Sequence, residues 1–346
     1  MRILLTGGAG YIGSHIALLL LQKGYDVVIL DTFINSSSNV IKAIKTYLYN
    51  YDFNLKTIIG DIRDEQILDK IFSDSIKDGN PIKTVIHLAG LKSVSESLRD
   101  PLHYWDVNVC GTQKLLSKMN EYKCYSIVFS SSATIYGLTD SVPIAEDRKL
   151  SPINPYGKTK VAIENMFEDL FKSSLNHWRI CSLRYFNPVG AHPSGCIGED
   201  PIGIPSNLFP YISQVAIGRR ENLNVFGDDW DTKDGSGVRD YIHIMDLSEG
   251  HIDAIDYLHS NEPCCEFINL GSGKGYSVFQ MIKQFELSTG CQIPFSIKKR
   301  RDGDVAKCYA DISKAKELLD WMPKRSLDQI CLDGWNWQRK NPNGYI

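Results

Sequence analysis

The chain has 346 residues and a mass of 39.0 kDa, and 43% of its residues are hydrophobic, which suits one large domain or two around a substantial core. A net charge of -3 and a pI near 6.3 provide no broad basic field, so we expect neither nucleic acid nor a membrane surface as a partner. Nine scattered cysteines without a Cys-x-x-Cys pair predict no metal site and no disulfide framework, and the lack of an apolar stretch long enough to span a bilayer adds to the expectation of a reduced, cytoplasmic protein.

Residues 1–31 predict a buried strand, a glycine-rich turn, a helix and a second strand that ends at Asp31. In the turn, Gly7 allows a tight bend, Gly10 lets backbone N–H groups approach a pyrophosphate, and Gly13 lets the helix pack closely on the strand. A carboxylate at the end of the second strand binds the adenosine ribose in such units and repels the 2′-phosphate of NADP. The unit therefore predicts NAD binding; the alternative is a strand-to-helix junction that binds no ligand.

Four further apolar segments alternate with helical stretches, at residues 56–59, 84–88, 126–130 and 179–185. This alternation predicts an α/β fold of Rossmann type, a doubly wound parallel sheet with helices on both faces and its ligand at the carboxyl ends of the strands. We expect residues 1–187 to form this nucleotide-binding domain, with a later return of the chain left open, and residues 188–346 to form mainly a smaller C-terminal α/β domain for the substrate. The polar segment 74–83 is expected to be a surface insertion without a function.

Segments 101–122 and 156–172 predict two helices that are apolar on more than one face. Leu102 and Trp105 contribute to the first helix, and Met166 and Phe171 to the second. Burial within the monomer and a dimer interface formed by the two helices both explain this pattern, and the sequence leaves the two open.

Ser132, Tyr156 and Lys160 form the second informative pattern. Tyr156 and Lys160 are four residues apart, so one face of a helix presents both, and the Ser132 hydroxyl at a strand end completes an acid–base site; a surface pair is the alternative. Together with the glycine-rich turn, this pattern resembles the Ser/Tyr/Lys machinery of the extended short-chain dehydrogenase/reductase family. Segments 6–15, 89–92, 184–192, 237–243 and 300–304 extend the resemblance to the UDP-glucose 4-epimerases of that family, over essentially the whole chain.

The resemblance implies an isomerase that interconverts UDP-galactose and UDP-glucose through a 4-keto sugar, with bound NAD as cofactor, in a homodimer. Ser132, Tyr156 and Lys160 are the implied catalytic residues. The implied cofactor contacts are Gly7, Gly10, Tyr11, Ile12, Gly13, Asp31, Asn35, Asp61, Ile62, Leu88, Ala89, Gly90, Lys92, Asn108, Ser130, Tyr156, Lys160 and Tyr185. The implied UDP-hexose contacts are Lys92, Ser132, Phe186, Asn187, Asn207, Leu208, Val225, Phe226, Arg239, Tyr241, Arg301, Asp304 and Cys308.

Elementary electrostatics is consistent with a base at Tyr156. An unperturbed tyrosine has a pKa of about 10, so a phenolate at neutral pH requires a shift worth roughly 4 kcal/mol. A cation about 4 Å away supplies roughly that much at an effective dielectric near 20, before desolvation opposes it. Lys160 alone is therefore marginal, whereas Lys160 together with the cationic nicotinamide ring of NAD⁺ is sufficient.

Three arginines and two histidines are also informative. Arg239 and Arg301 are expected to clamp a diphosphate, because guanidinium presents paired donors in a fixed geometry, while Arg300 stays undecided. His87 and His243 are expected in the core, since the sequence places no carboxylate beside them. In the segment that precedes Ala89, Leu88 stands where the family has an aromatic residue.

Cys308 predicts the substrate range. Members of the family restricted to UDP-glucose and UDP-galactose have a bulky aromatic residue at this position, and those that also accept N-acetylated sugars have a small one. The thiol therefore predicts activity on UDP-N-acetylglucosamine and UDP-N-acetylgalactosamine, unless Cys308 is only a buried hydrophobe and Tyr309 fills the space.

Two other functions share parts of these patterns. A nucleotide-sugar 4,6-dehydratase needs a carboxylate pair beside its active-site hydroxyl, where this chain has Ala133 and Thr134, and a non-catalytic NAD-binding regulator needs neither Tyr156 nor Lys160.

Overall fold

The structure is a computed structural model that describes residues 1–139, 141–173, 177–301 and 303–345. Its strands are β1 (Arg2–Thr6), β2 (Asp26–Asp31), β3 (Leu55–Ile59), β4 (Ile82–His87), β5 (Ser126–Ser132), β6 (Arg179–Tyr185), β7 (Asn187–Val189), β8 (Leu223–Phe226), β9 (Val238–Arg239), β10 (Tyr241–His243), β11 (Cys264–Leu270), β12 (Tyr276–Ser277), β13 (Phe295–Lys298) and β14 (Lys307–Cys308). Its helices are α1 (Tyr11–Gln22), α2 (Asn39–Tyr47), α3 (Glu65–Lys77), α4 (Val94–Arg99), α5 (Pro101–Tyr104), α6 (Gly111–Glu121), α7 (Pro155–Ser173), α8 (Leu208–Ala216), α9 (Ile244–Ser260), α10 (Val278–Thr289), α11 (Ser313–Leu319) and α12 (Leu327–Lys340), with a π-helix at Trp105–Cys110 and a 3₁₀-helix at Ala133–Tyr136.

Seven parallel strands form the central sheet in the order β11-β6-β5-β4-β1-β2-β3. The chain runs outward from β1 to β3 and then crosses to the other side of β1 at β4, so the strand order reverses between β1 and β4. In doubly wound sheets this reversal opens a crevice for the ligand at the carboxyl ends of the strands. The predicted α/β fold of Rossmann type is therefore confirmed, and the reversal places the expected site above β1 and β4.

Apolar side chains cover both faces of this sheet. On one face, α1 and α9 pack over a core that includes Ile3, Leu5 and Ile255. On the other face, α3 and α6 pack over a core that includes Leu4, Phe72 and Ile127. Alternate residues of β1 thus point to opposite cores, as expected for a strand buried on both sides.

The segment 101–122 is one helical stretch interrupted by a π-helical turn at Trp105–Cys110, between α5 and α6. A π-turn inserts one extra residue into the helix and re-aims the side chains beside it, and here it carries the buried Asn108. The periodicity of the sequence predicted the helix but not this irregularity.

The prediction of a surface insertion at residues 74–83 is wrong. The helix α3 continues to Lys77 and β4 begins at Ile82, so only a four-residue turn, 78–81, lies between them. Arg2 holds the turn through a salt bridge to Asp78 at 3.0 Å. The segment is polar because it contains the exposed last turn of α3 and the turn that follows it.

After β7 the chain forms a set of short paired strands around a separate core that includes Phe209, Phe285 and Ile330. These strands pair as β10-β7, β12-β9-β14 and β13-β8. The chain then returns to the central sheet, because β11 lies beside β6, with α9 packed on the same sheet. In the described ranges, no helix combines the length and the apolar character required to cross a bilayer.

Candidate active site

The glycine-rich turn lies between β1 and α1, at the carboxyl edge of the sheet. Gly7 has φ +69°, which glycine adopts without strain, and a β-carbon on it would lie 2.7 Å from the backbone nitrogen of Ala89. A β-carbon on Gly13 would lie 2.4 Å from the carbonyl oxygen of Gly7. Both positions therefore require glycine, and the start of α1 lies directly against the turn, where the first N–H groups of a helix can bind an anion.

Asp31 lies at the end of β2 and is buried beside this turn. One carboxylate oxygen accepts a hydrogen bond from Ala9 N at 2.9 Å. The other oxygen accepts bonds from Phe33 N at 2.9 Å and from the Ser36 hydroxyl at 3.0 Å. The carboxylate thus orders both the turn and the loop that carries Asn35, whose side chain is exposed. Asp31, the residue expected to bind the ribose, therefore also holds the glycine-rich turn and the loop of Asn35 in place.

The loop after β4 carries the expected contacts Leu88, Ala89, Gly90 and Lys92. Asn108 holds this loop, because its carbonyl accepts from Leu91 N at 2.8 Å and its amide donates to the Leu91 carbonyl at 3.1 Å. The same amide also lies 3.1 Å from the Thr159 hydroxyl on α7. The side chain of Asn108 is thus bonded to protein groups and ties the loop to the helix that bears Tyr156.

Tyr156 and Lys160 lie on α7 and face the end of β5. Asn154 caps the start of this helix by accepting a bond from Gly157 N at 2.8 Å, and Pro155 fills its first turn. The Lys160 ammonium donates to the carbonyl of Ser130 at 2.6 Å and lies 5.8 Å from the centre of the Tyr156 ring. Helix and strand end therefore bring the three predicted catalytic groups together, with Ser132 at the strand terminus.

Burial dominates the acid–base properties of this pair. It raises the pKa of the Tyr156 phenol, and hydrogen bonding to the Ser132 side chain opposes the rise. Burial also lowers the pKa of Lys160 to about 7, and the negative charge of Glu164 opposes this change. Burial thus disfavours the phenolate of Tyr156, and additional positive charge in the pocket would favour it.

These residues fit NAD. The turn has no room for side chains beside Gly7 and Gly13, Asp31 stands at the ribose position, and the buried Tyr156 requires a second cation of the kind that an oxidised nicotinamide provides. Tyr185, a further expected contact, is buried at the end of β6 beside this region.

The expected sugar contacts converge on the same edge from the second half of the chain. Asn187 on β7 pairs with Tyr241 on β10, and its backbone N–H donates to the Asp240 carbonyl at 3.0 Å. Asp240 is buried, and its carboxylate accepts from Ser272 N at 2.5 Å and from Ala310 N at 3.0 Å. Asp240 thus joins two segments: its backbone carbonyl accepts from the backbone N–H of Asn187, and its backbone N–H and carboxylate bond the segment of Cys308.

Arg239 and Arg301 are brought together by Asp304. The carboxylate of Asp304 lies 3.6 Å from a terminal nitrogen of Arg239 and accepts from Arg301 Nε at 3.3 Å. Arg301 also lies over the ring of Phe226, 4.5 Å from its centre. Two guanidinium groups and an aromatic ring therefore form one cluster suited to a diphosphate and a base. Neighbouring Val225 has its side chain in the core.

The undecided Arg300 does not join this cluster. Its guanidinium lies 4.1 Å from the centre of the Trp230 ring and donates to Asp229 at 2.7 Å. The residue is thus an exposed cation that is already paired.

Cys308 forms part of a small apolar cluster with Ile135, Tyr136 and Phe186. It lies on β14 beside Arg239, and burial raises the pKa of its thiol to about 11, so the group stays protonated at neutral pH. The ring of Tyr309 lies against Gly275, where an added β-carbon would be 2.8 Å from the ring.

The remaining expected contacts have different surroundings. The Asp61 carboxylate binds the guanidinium of Arg63 at 2.6 Å, and this interaction lowers the pKa of Asp61. Ile62 has its side chain in the core, so only its backbone faces the crevice edge. Asn207 is exposed where α8 begins, just before Leu208, and its amide lies 3.5 Å from Glu199.

Two more expected cofactor contacts lie at the glycine-rich turn. The Tyr11 hydroxyl donates to the Gly190 carbonyl at 2.8 Å, and the side chain of Ile12 packs on the core.

His87 and His243 are buried, but the expectation that no carboxylate lies beside them is wrong for His243. Its Nε2 lies 3.1 Å from Asp333, which is 90 residues away in sequence, and its Nδ1 accepts from Met245 N at 3.0 Å. His243 therefore caps α9 rather than acting at the site. His87 lies between the hydroxyls of Thr6 and Thr112, at 2.7 and 2.8 Å.

Comparisons with known proteins agree with this arrangement. A family model described as GDP-mannose 4,6 dehydratase matches residues 4–333. The chain is 48% identical over 345 residues to the UDP-glucose 4-epimerase of Bacillus subtilis (strain 168), which covers 100% of this chain and 99% of that protein. The structure of UDP-glucose 4-epimerase from Stenotrophomonas maltophila, with bound NAD and formylated UDP-arabinopyranose, has a TM-score of 0.94 at 44% identity and 99% coverage of both chains. The structure from Bifidobacterium longum, in complex with NAD⁺ and UDP, has a TM-score of 0.93 at 44% identity, with 99% of this chain and 100% of that chain covered.

Proposed function

Because this chain belongs to the UDP-glucose 4-epimerase family of extended short-chain dehydrogenases/reductases, we propose that it interconverts UDP-galactose and UDP-glucose. The observation that carries the proposal is the grouping of Ser132, Tyr156 and Lys160 beside a glycine-rich nucleotide turn. The turn follows β1, Ser132 ends β5 and α7 packs against β5, and this proximity supports the proposal.

The residues of the chain supply proton transfer and orientation. Bound NAD would supply the hydride acceptor and donor. Tyr156 takes the proton from the sugar 4-hydroxyl, directly or through the Ser132 hydroxyl, and later returns it. Lys160 contributes positive charge beside the phenol. Because hydride leaves and returns at the same carbon, the sugar passes through a 4-keto form, and return to the opposite face inverts C4 without net oxidation.

Inversion requires a firmly held nucleotide and a hexose that is free to turn. Arg239, Arg301 and Asp304 lie in one cluster with Phe226, which provides fixed donors for the diphosphate and a face for the uracil. Of the expected hexose contacts, Phe186 and Asn187 lie where β6 passes into β7, and Cys308 lies on β14. We propose that residues 1–187, joined by the returning β11, mainly bind the nucleotide cofactor, and that residues 188–346 mainly bind the substrate.

Neither alternative function fits the site as well. A 4,6-dehydratase needs a carboxylate beside the active-site hydroxyl, whereas Ala133 and Thr134 follow Ser132 in a 3₁₀-helix, and the Thr134 hydroxyl donates to Ser132 at 3.0 Å. A non-catalytic NAD-binding regulator has no need for a buried ammonium beside a buried phenol, because each costs desolvation energy.

The substrate range is proposed to include UDP-N-acetylglucosamine and UDP-N-acetylgalactosamine. Cys308 packs against the apolar cluster that includes Phe186, and a thiol leaves space that an aromatic side chain would fill. Since the Tyr309 ring lies against Gly275, it does not take up that space. An acetamido group at C2 sweeps through the pocket when the hexose turns, so the free volume at this wall acts on both binding and turnover.

A direct test is to incubate the purified protein with UDP-galactose and to follow UDP-glucose by NMR together with NADH absorbance. An epimerase produces UDP-glucose without a stoichiometric rise in free NADH. NAD is expected to be released from the acid-denatured, desalted protein, because a cofactor regenerated in each cycle gains nothing from dissociating. Release of NADP instead, or NADH accumulation without UDP-glucose, would contradict the proposal.

A further inference from the structure

Glu164 is a buried carboxylate that the proposed reaction does not use. It lies on α7 one helical turn after Lys160, and its side chain is 2% exposed. One oxygen accepts from the hydroxyls of Ser131 at 2.7 Å and Ser182 at 3.0 Å, and from Arg184 Nε at 3.2 Å. The other oxygen accepts from Arg184 Nη2 at 2.8 Å. Four donors from two strands therefore converge on one carboxylate.

The bond from Ser131 reaches the catalytic end of β5. Ser131 lies between Ser130, whose carbonyl accepts from the Lys160 ammonium, and Ser132, whose hydroxyl interacts with Tyr156. The strand and the helix are thus joined twice, once through Lys160 and once through Glu164. The second joint fixes how far the strand end lies from the helix that carries the phenol.

Glu164 also acts on Lys160 through charge. Burial lowers the pKa of Lys160, and the Glu164 carboxylate opposes this. The groups that face Lys160 from neighbouring elements are His87 on β4, which burial keeps neutral, the Phe129 ring on β5 at 4.6 Å, and Tyr156 on its own helix. None of these adds a negative charge in the resting site.

We propose that Glu164 is a positioning residue for Ser132, Tyr156 and Lys160: it sets the spacing of the β5 end from α7 and contributes negative charge one helical turn from the buried ammonium. This inference rests on the proposed epimerase function. Arg184 forms a buried ion pair with the same carboxylate at 2.8 Å, and this pair holds the Glu164 side chain against β6.

Two serines provide a matched test. Ser131→Ala and Ser182→Ala each remove one buried hydroxyl bond to the same oxygen of Glu164, but only Ser131 lies beside the catalytic serine. We expect Ser131→Ala to lower kcat for UDP-galactose by about tenfold with little change in KM, and Ser182→Ala to stay within about twofold of the wild type, because small displacements of reacting groups cost rate steeply. Thermal melts should show similar destabilisation in both. Equal effects on kcat would overturn the proposal and leave Glu164 a merely structural group.

A second measurement is independent of turnover. In protein labelled at the lysine ε-carbon, the Lys160 signal, assigned by its loss in Lys160→Met, should titrate at lower pH in Glu164→Gln than in the wild type. An unchanged titration would overturn the electrostatic part of the proposal. If Glu164→Gln does not fold, the serine pair decides; if the wild type converts no UDP-hexose, the proposed function fails and the lysine titration decides on Glu164.

Discussion

The hydroxyl of Tyr185 lies 2.5 Å from Nε2 of His251, and both side chains are buried. The other ring nitrogen, Nδ1, lies 2.8 Å from the Leu247 carbonyl. A carbonyl only accepts, so Nδ1 carries the proton and Nε2 accepts from the tyrosine. His251 on α9 therefore fixes the direction of the Tyr185 hydroxyl at the expected cofactor pocket.

We expect His251→Phe to lower the NAD content of the purified protein, because the Tyr185 hydroxyl at the expected cofactor pocket loses the bond that orients it and is left to the Ser130 side chain, a loss worth about 1 kcal/mol. Tyr185→Phe in the His251→Phe background should restore part of the stability, since the buried hydroxyl is then removed as well. Bound nucleotide after desalting and the melting temperature are the measurements. Additive losses in the double variant would show that the two residues act separately.

Tyr156→Phe should lower turnover of UDP-galactose by about 10²–10⁴-fold while the fold and UDP binding are retained, because only the acid–base hydroxyl is lost. Tyr122→Phe is the matched control: it removes a tyrosine hydroxyl that bonds Asp69 far from the crevice. Turnover, circular dichroism and calorimetric UDP binding distinguish the outcomes. Near-wild-type epimerisation by folded Tyr156→Phe would exclude it as the base.

Four buried histidines predict loss of stability in mild acid. Burial lowers the pKa of His15 and His87 to about 3 and that of His192 and His251 to about 4. The unfolded chain takes up these protons near pH 6.5, so stability is complete above that value and falls as the pH drops from about 6.5 toward 4. Each histidine contributes up to about 1.4 kcal/mol per pH unit in that window.

Urea midpoints between pH 7 and 5 measure this slope. His87→Gln is expected to reduce it by about one histidine's share, whereas the exposed His103→Gln should leave it unchanged. A slope that responds to neither substitution would mean that carboxylate groups, not buried histidines, govern the acid response.

The parts of the site that follow from local sequence were predictable. The glycine turn, the strand ends and the i, i+4 spacing of Tyr156 and Lys160 each depend on a few adjacent residues. The pairing of His243 with Asp333 and of Glu164 with Arg184 joins distant segments, and no local pattern encodes it. Glu164 follows Lys160 by the same four-residue spacing, so its position on the same helix face was predictable, although its bond to Arg184 was not.

The two helical segments 101–122 and 156–172 each bury one side within the monomer, which is one of the two explanations for their apolar faces. The first segment keeps apolar side chains on its outer surface: Leu102 is 79% exposed and Trp105 37%, and Leu98, on the preceding helix α4, is 63% exposed. We propose a homodimer through this surface. Leu102→Asp should shift the protein toward monomer in sedimentation velocity at micromolar concentration, and Leu287→Asp, at a residue 71% exposed on α10, should not. An active wild-type monomer at that concentration would rule out an obligate dimer.

Cys308→Tyr should suppress turnover of UDP-N-acetylgalactosamine while sparing UDP-galactose. The added ring fills the space beside Phe186 that the acetamido group would cross, and an overpacked site typically costs about 1–3 kcal/mol, which corresponds to roughly 5- to 150-fold in rate. Cys308→Ser is the control, because it keeps the size of the side chain while removing the thiol. The ratio of kcat/KM for the two sugars is the measurement that matters, since general damage lowers both. A wild type without N-acetylated turnover would refute the extended substrate range, and a tyrosine variant with an unchanged ratio would show that Cys308 is only a small buried hydrophobe.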